Sequence, residues 1–417
     1  MEGLDTTERL YSVNAKNHWK ILTFLFLVTV LNYMDRQTLS VSSPVIQKEF
    51  GLNNQQLGLL FSAFYISYAI SVALIGEVID RISIRSAFIW IVTWWSTATM
   101  LTALSRNFWH LFGFRLLLGI GEAGLWPATA RLVSISMRPK EKTLANSFYM
   151  AGGSLGLVIV QPLMIGLSLS YGWRTGFVVI GALSVTWLIA WMSWFRPNVE
   201  RELHREAPVK EALGGDWTSL LRRKRFWGFM LASFCGNTCL YFLMNWLPSF
   251  LVQDRHFTFN LRLGGVMLVP FIGLDTGYMF SGFAVLRLAK TYPVLVVRRW
   301  ALGLAAVLVG CALAYTPFTR SETMLVGVLF GTTFGMAVWN SNYLSGVEEL
   351  SNVKPAAVAG VIGSVGALGG AISLWLIGLV SQLSGNFKSV FIMIGLLIVV
   401  GSFGILLTEN EGRGYAS

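Results

Sequence analysis

The chain has 417 residues, 54% hydrophobic and 13% charged, with a mean hydropathy of +0.60 and a net charge of +11. A water-facing surface needs about a quarter charged residues, so this composition excludes a soluble globular protein. The apolar residues come in long blocks such as 21–30 and 391–407, which hold no charge. Crossing roughly 30 Å of hydrocarbon takes about 20 apolar residues, and such blocks recur along the whole chain.

In chain order, the first 19 residues mix Glu2, Asp5 and Glu8 with Arg9 and Lys16, and no cleavage-type site follows the first apolar block. That block reads as a retained helix, not a removed signal peptide. Six apolar segments come first, at 20–44, 55–79, 85–105, 108–135, 142–168 and 173–196. Six more follow at 226–252, 262–288, 295–316, 323–347, 355–383 and 386–408. Between the sets, residues 197–225 form the longest polar stretch, with Glu200, Arg201, Glu202 and the run Arg222, Arg223, Lys224, Arg225. The expected organisation is a tail (1–19), a six-helix bundle (20–196), a linker (197–225), a second bundle (226–408) and a tail (409–417).

Charge placement sets orientation. With both termini cytoplasmic, 23 of the 32 Lys/Arg fall in the termini and cytoplasmic loops and seven in or beside the outer loops. Positive charge accumulates on the cytoplasmic side of membrane proteins. The basic excess is therefore a topology signal of a bacterial-type inner membrane, and it argues against a nucleic-acid partner. Glycine is abundant at 42 residues, many on small-residue faces: Gly152, Gly153 and Gly156, then Gly360, Gly363, Gly366, Gly369 and Gly370. Such faces let helices approach closely in lipid. Cys235, Cys239 and Cys311 lie inside apolar blocks and read as packing residues, with no metal or cofactor expected.

The informative residues are ionisable side chains in mid-segment, which cost roughly 2.5–3.5 kcal/mol each on insertion scales. Asp35 and Arg36 lie in segment 1, Arg115 and Glu122 in segment 4, and Asp275 in segment 8. Asp35 and Arg36 are sequence neighbours, so they point about 100° apart and need not pair. Arg115 and Glu122, seven apart, share a helix face. The expected arrangement crosses the pairs: Asp35 and Glu122 face a shared cavity, with Arg36 and Arg115 nearby. Burial in low dielectric favours a neutral carboxyl group, and a neighbouring Arg favours the ionised one. An anion that draws Arg36 away would therefore promote proton uptake, linking anion and proton in one direction. Arg suits this role because it stays charged and presents a fork to a carboxylate. The bland alternative is buried ion pairs that fix packing. Arg115 could tune a carboxylate or touch substrate, and Asp275 could be functional or structural.

Gly76, Asp80, Arg81 and Arg85 close the end of segment 2 and read as a conformational gate. Tyr33, Tyr68, Asn237, Tyr241, Asn245, Trp339, Asn340, Asn342 and Ser364 are polar or aromatic residues within segments that could meet a hydroxylated ligand. Gly152-Gly153-Ser154-Leu155-Gly156 matches the G-x-S-x-G form, but that nucleophile needs a strand-turn-helix context with a His to follow. His18, His110, His204 and His256 all sit at segment ends or in loops. An enzyme is not expected.

At these residues the chain resembles the major facilitator superfamily over essentially its whole length. Gly76-x-x-x-Asp80-Arg81 with Arg85 resembles its loop 2–3 signature, with Ser83 where Gly is usual. Asn32-Tyr33-Met34-Asp35-Arg36 and Arg115-x-x-x-Gly119-x-Gly121-Glu122-Ala123-Gly124 resemble the anion:cation symporter family and its bacterial sugar-acid branch. Pro139-Lys140-Glu141-Lys142, and Val269-Pro270-Phe271 with Asp275 and Gly277, resemble that branch too. The resemblance implies an all-α fold of twelve transmembrane helices in two six-helix bundles, working as a monomer by alternating access around a midplane site. It implies proton-coupled import of a small organic anion, a sugar acid such as a hexuronate or hexonate. Asp35 and Glu122 would couple protons, Arg36 with Tyr33 and Tyr68 would hold substrate, and Arg115 would tune Glu122. The second half departs from hexuronate-like members at Asn237-Thr238, Leu240-Tyr241, Met336 and Ala337, which leaves another hydroxylated or aromatic carboxylate open. A uniporter, an exchanger and a non-transporting membrane sensor are the alternative functions.

Overall fold

A single segment in hydrocarbon must satisfy its own backbone groups, and the helix does so. The computed structural model describes residues 15–137, 139–200, 220–348, 350 and 355–408. The helices are α1 (Ala15–Phe50), α2 (Asn54–Arg81), α3 (Ile84–Thr102), α4 (Phe108–Glu122), α5 (Leu125–Ser136), α6 (Pro139–Tyr171), α7 (Trp173–Trp194), α8 (Lys224–Asn245), α9 (Leu247–Gln253), α10 (Leu261–Leu288), α11 (Val294–Tyr315), α12 (Glu322–Glu348), α13 (Pro355–Ser384) and α14 (Lys388–Thr408). Each expected apolar segment falls on helix, and no strand occurs among the described residues. Both tails and the linker over 201–219 lie wholly or largely outside the described residues, as do the side chains of Asp80, Pro139, Lys140, Glu141 and Lys142.

Among the described residues eight helices, α6 to α8 and α10 to α14, are long and apolar enough to cross a membrane by length and composition. Segments 1, 3 and 4 fall short for physical reasons. Segment 1 carries Asn32, Asp35, Arg36 and Gln37, α3 is rich in Ser and Thr, and α4 is only 15 residues long. Two rods are interrupted. The α4–α5 break is followed by Pro127, and the α8–α9 break by Pro248. Each proline stands in the first turn of the new helix, where its missing N–H costs nothing. Side-chain caps on Ser83, Asn107 and Asn260 accept from Ser86, His110 and Leu263 backbone N–H groups, which satisfies otherwise orphaned donors. Gly172, with φ of 85°, turns the chain sharply between α6 and α7, a conformation that suits glycine.

By contacts the chain divides into two units: Met1–Ser42 with Ile66–Glu211, and Ser43–Tyr65 with Ala212–Ser417. In the first, α3 packs on α4 and α7, and α6 on α7. The second repeats the pattern six segments later: α11 packs on α12 and α14, and α13 on α14. Lipid gives helices no hydrophobic reason to associate, so close packing does it, and the glycines mark where. A Cβ on Gly156 would collide with the Val30 carbonyl, and one on Gly152 would stand against the carbonyl of Phe26, so α6 lies directly on α1. In the second unit the same relation holds between α13 and α8, where a Cβ on Gly369 would stand 2.7 Å from the Phe234 carbonyl oxygen. The G-x-S-x-G run is thus a packing face.

The ends of α1 and α2 join the second unit through polar contacts. Ser43 and Ser249 hydroxyls lie 2.9 Å apart, and Gln253 donates to Gln47 at 2.6 Å. Along one face of α2, Asn54 N donates to Gln382 at 3.1 Å and Ser62 to the Ala371 carbonyl at 2.6 Å. The contact grouping therefore departs from the division at the linker, because contacts need not follow connectivity.

Candidate functional site

In the first unit the four mid-segment charges come together. Arg36 Nε donates to Glu122 Oε2 at 2.6 Å, with the Arg36 side chain 13% exposed and Glu122 fully buried. The guanidinium carbon lies 4.7 Å from the Tyr68 ring centroid and 5.6 Å from that of Tyr33, so two aromatic faces hold the cation in place. Asp35, also buried, accepts a hydrogen bond from Thr99 Oγ1. Buried Arg115 reaches the Arg36 carbonyl oxygen through Nη2 at 3.4 Å. Asp35 stands within electrostatic reach of Glu122, Arg115 and Arg36.

The pairing is therefore Arg36 with Glu122, across α1 and α4, as the seven-residue spacing on α4 allows. Asp35 takes a hydroxyl as its hydrogen-bond partner. Ser96, Thr97 and Thr102 on α3 donate to carbonyls four residues back, whereas Thr99 turns outward to Asp35. Asp35 Oδ2 is buried and makes no hydrogen bond among the described residues. Asn32 lies beside Glu122. Gln161 on α6 is fully buried, and neither of its amide atoms is bonded among the described residues. The register of Gly152 on Phe26 and Gly156 on Val30 carries Gln161 to the depth of Asp35. Sequence reasoning missed Thr99 and Gln161. The only available signal was a polar side chain within an apolar helix.

Around the expected gate, Arg81 pairs with Glu77 one turn back on the exposed face of α2. Arg85 donates to the Met192 carbonyl on α7 at 3.4 Å. Gly76 has open space where a Cβ would stand. Two further residues hold this turn. Arg131 of α5 donates to the carbonyls of Ile79, in the last turn of α2, and Ile82, just past its end, acceptors that the helix leaves unpaired. Glu200, buried just after α7, accepts from the backbone N–H of Ile84 at the start of α3.

The second-unit candidates are dispersed. Asn245 is buried and donates to the Tyr241 carbonyl at 2.9 Å and to the Tyr65 hydroxyl at 3.3 Å, beneath a Tyr65–Tyr241 stack with centroids 4.3 Å apart. Trp339 is 2% exposed, stacks on Tyr343 and donates to Ser402 Oγ at 2.9 Å. It also fills the space that a Cβ on Gly236 would need, so here it serves helix packing. Half-buried Asn340 donates to the Tyr278 hydroxyl at 2.7 Å. Ser364 and Asp275 are half-buried on α13 and α10. An apolar groove of about 280 Å³ on α3 and α4, lined by Trp90, Trp94, Leu101 and Leu117, includes none of these groups.

Three relatives share the length of the chain. It is 26% identical to the D-galactonate transporter of Escherichia coli O6:H1 (strain CFT073), covering 95% of this chain and 96% of that protein. It is 26% identical to a probable galactarate/D-glucarate transporter of Bacillus subtilis (strain 168), covering 93% and 91%. It is 27% identical to the hexuronate transporter of the same organism, covering 94% of each. In fold it is similar to a bacterial homologue of the human lysosomal transporter Spinster, with a TM-score of 0.74 and 19% identity over 95% of this chain and 96% of that one. Residues 25–374 match the Major Facilitator Superfamily. Multi-pass, helical throughout its described residues and carrying the buried Arg36–Glu122 pair, the chain belongs to that superfamily and is a transporter, not an enzyme.

Proposed function

We propose that this chain is a proton-coupled symporter that imports a sugar acid across the inner membrane, working as a monomer with both termini cytoplasmic. The observation that carries the reading is the buried Arg36–Glu122 pair beside Asp35. A substrate carboxylate takes the Arg36 fork, and Glu122, losing its partner in a site that disfavours bare charge, takes a proton. Anion and proton then bind together and leave together. The unbonded oxygen of Asp35 suits a carboxyl group that relays the same proton to and from Glu122, with Thr99 holding the other oxygen. Tyr33 and Tyr68 keep Arg36 aimed, and Arg115 steadies both carboxylates. Gln161 is suited to a substrate hydroxyl, because an unbonded buried amide is costly until something fills it.

In the second unit Asn340 and Ser364 are half-buried and offer polar groups to a hydroxylated ligand, whereas Asn245 and Trp339 act by holding the helices that carry them. Asp275 stands as a further carboxylate whose part in coupling needs its own test. The turn formed by Gly76, Asp80, Arg81 and Arg85, braced by Arg131 and Glu200, is the proposed gate. The relatives' named substrates, galactonate, galactarate or glucarate, and hexuronate, agree with an anion of this class. The test is uptake of labelled D-galactonate by proteoliposomes under an imposed pH gradient, acid outside. Symport gives accumulation above equilibrium. Accumulation that requires internal anion identifies an exchanger, and no flux with binding retained identifies a sensor; either outcome refutes symport.

A further inference from the structure

The turn that ends α2 has a counterpart six segments on, at the end of α10. Gly76-Glu77-Val78-Ile79-Asp80-Arg81 lines up with Gly282-Phe283-Ala284-Val285-Leu286-Arg287. Both copies keep the arginine and the glycine, each glycine with open space where a Cβ would stand. The second copy has lost both acids: Phe283 and Leu286 stand where the first has Glu77 and Asp80. In the first unit Arg81 pairs with Glu77 one turn back. At the same spacing Arg287 meets a phenylalanine. Residues 276–319 contain Arg287, Lys290, Arg298 and Arg299 but no Asp or Glu. Among the described residues, the side chains of Arg287 and Lys290 make no hydrogen bond or ion pair.

What surrounds these two cations is apolar and faces outward. Phe283 and Leu286 are 64% and 73% exposed. With Arg287 and Lys290 they form one stripe along α10, at spacings of three, four and seven residues. On α11, exposed Trp300 begins a similar stripe with exposed Leu304 one turn on. Tyr292, in the turn, meets the Trp300 ring edge-on with centroids 5.2 Å apart, which ties the turn to α11. Tryptophan and tyrosine settle at the headgroup level of a bilayer. At that level Arg287 and Lys290 stand among phosphates, with Phe283, Leu286 and Leu304 deeper, among acyl chains. The first turn of α11 holds no acid and no side-chain cap, so its positive end adds to the field.

The topology rule accounts for basic residues in such a turn, and Arg287 also complements the C-terminal end of α10. Neither explains why exposed apolar residues replace both acids. We propose that the α10–α11 turn is a binding site for an anionic phospholipid, whose phosphodiester takes Arg287 and Lys290 and whose acyl chains lie on Phe283, Leu286 and Leu304. A free anion such as inorganic phosphate would use the same cations but leave the apolar stripe uncovered, and that stripe favours the lipid. The site uses none of the charges on α1 and α4, and it stands whatever the carrier transports.

The full chain in neutral detergent is titrated with dioctanoyl phosphatidylglycerol, dioctanoyl phosphatidylcholine and inorganic phosphate. Native mass spectrometry reads bound lipid, and thermal shift reads stability. Each cation near an anionic lipid surface contributes about fivefold in affinity. Arg287→Gln combined with Lys290→Gln should therefore weaken phosphatidylglycerol binding about 25-fold. Arg320→Gln combined with Lys388→Gln removes two exposed cations from other turns of the same unit and should change it by less than about twofold, because distant exposed charges are screened. Phe283→Glu, at an exposed position, restores the acid of the first copy. It should weaken phosphatidylglycerol binding at least about fivefold while the lipid-free melting temperature holds. Equal losses in the two double variants would mean general charge attraction and overturn the proposal. Phosphatidylcholine binding as tightly as phosphatidylglycerol overturns it too, since the cations then select nothing. Inorganic phosphate stabilising the protein as well as the anionic lipid does, at equal concentration, identifies a free-anion site and refutes the lipid.

Discussion

Neutralising Glu122 tests the centre of the mechanism. The Glu122→Gln substitution keeps the side-chain shape and a hydrogen-bond acceptor but removes the charge that holds Arg36 at 2.6 Å. Two unit charges about 4 Å apart attract by about 4 kcal/mol at an effective dielectric of 20. Desolvation offsets part of this, and hydrogen bonds to charged groups measure about 1.5–3 kcal/mol net. That share is what a substrate carboxylate must overcome to take Arg36. Releasing it should tighten anion binding by about 10- to 150-fold near pH 7, and the affinity should lose most of its dependence on pH. Because the proton carrier is gone, a pH gradient should no longer drive accumulation, while exchange of labelled for unlabelled substrate continues. Substrate titration of purified protein at several pH values, with paired gradient and counterflow assays, checks all three outcomes. Weaker binding, or accumulation that survives, would refute the competition between Glu122 and substrate for Arg36.

Three more predictions follow from geometry. Thr99→Val removes the donor to Asp35 in a nearly isosteric change; uptake should fall about five- to tenfold, the value of one such bond, with the melting temperature unchanged. Gly156→Val puts a branched side chain against the Val30 carbonyl, and overpacking of this kind costs about 1–3 kcal/mol. The melting temperature in detergent should drop by several degrees, while Gly166→Ala, which meets nothing within 4 Å, should leave it unmoved. Glu200→Ala orphans the Ile84 N–H at the α3 start, a loss of about 1–2 kcal/mol. Limited proteolysis at the turn around Ser83 should quicken, and Glu200→Gln, which can still accept, should restore most of the protection.

What sequence could and could not reveal follows from how unusual each residue is for its setting. Asp35, Arg36, Arg115 and Glu122 were legible because a charge inside an apolar helix is costly enough to need a reason, and the structure gathers all four. Thr99 and Gln161 were not legible. A hydroxyl in an apolar helix usually bonds its own backbone, as Ser96 and Thr102 do, so residue type does not mark the exception that bonds a neighbour. Trp339 shows the same ambiguity from the other side: an indole is equally apt for ligand and for packing, and in the structure it packs against Gly236 and Tyr343.

Arg131 and Glu200 were hidden by explanations that already accounted for them, since a basic charge at a segment end satisfies the topology rule and Glu200 opens a polar stretch in which acids are ordinary. In the structure they do a second thing, bracing one turn from two sides: Arg131 on carbonyls at and just past the end of α2 and Glu200 on the amide that begins α3. A turn pinned through backbone groups leaves its own side chains, Arg81 and Arg85, free to change partners without unfolding it. That division of labour is what a gate requires, because a hinge that must move repeatedly cannot be held by the contacts it breaks.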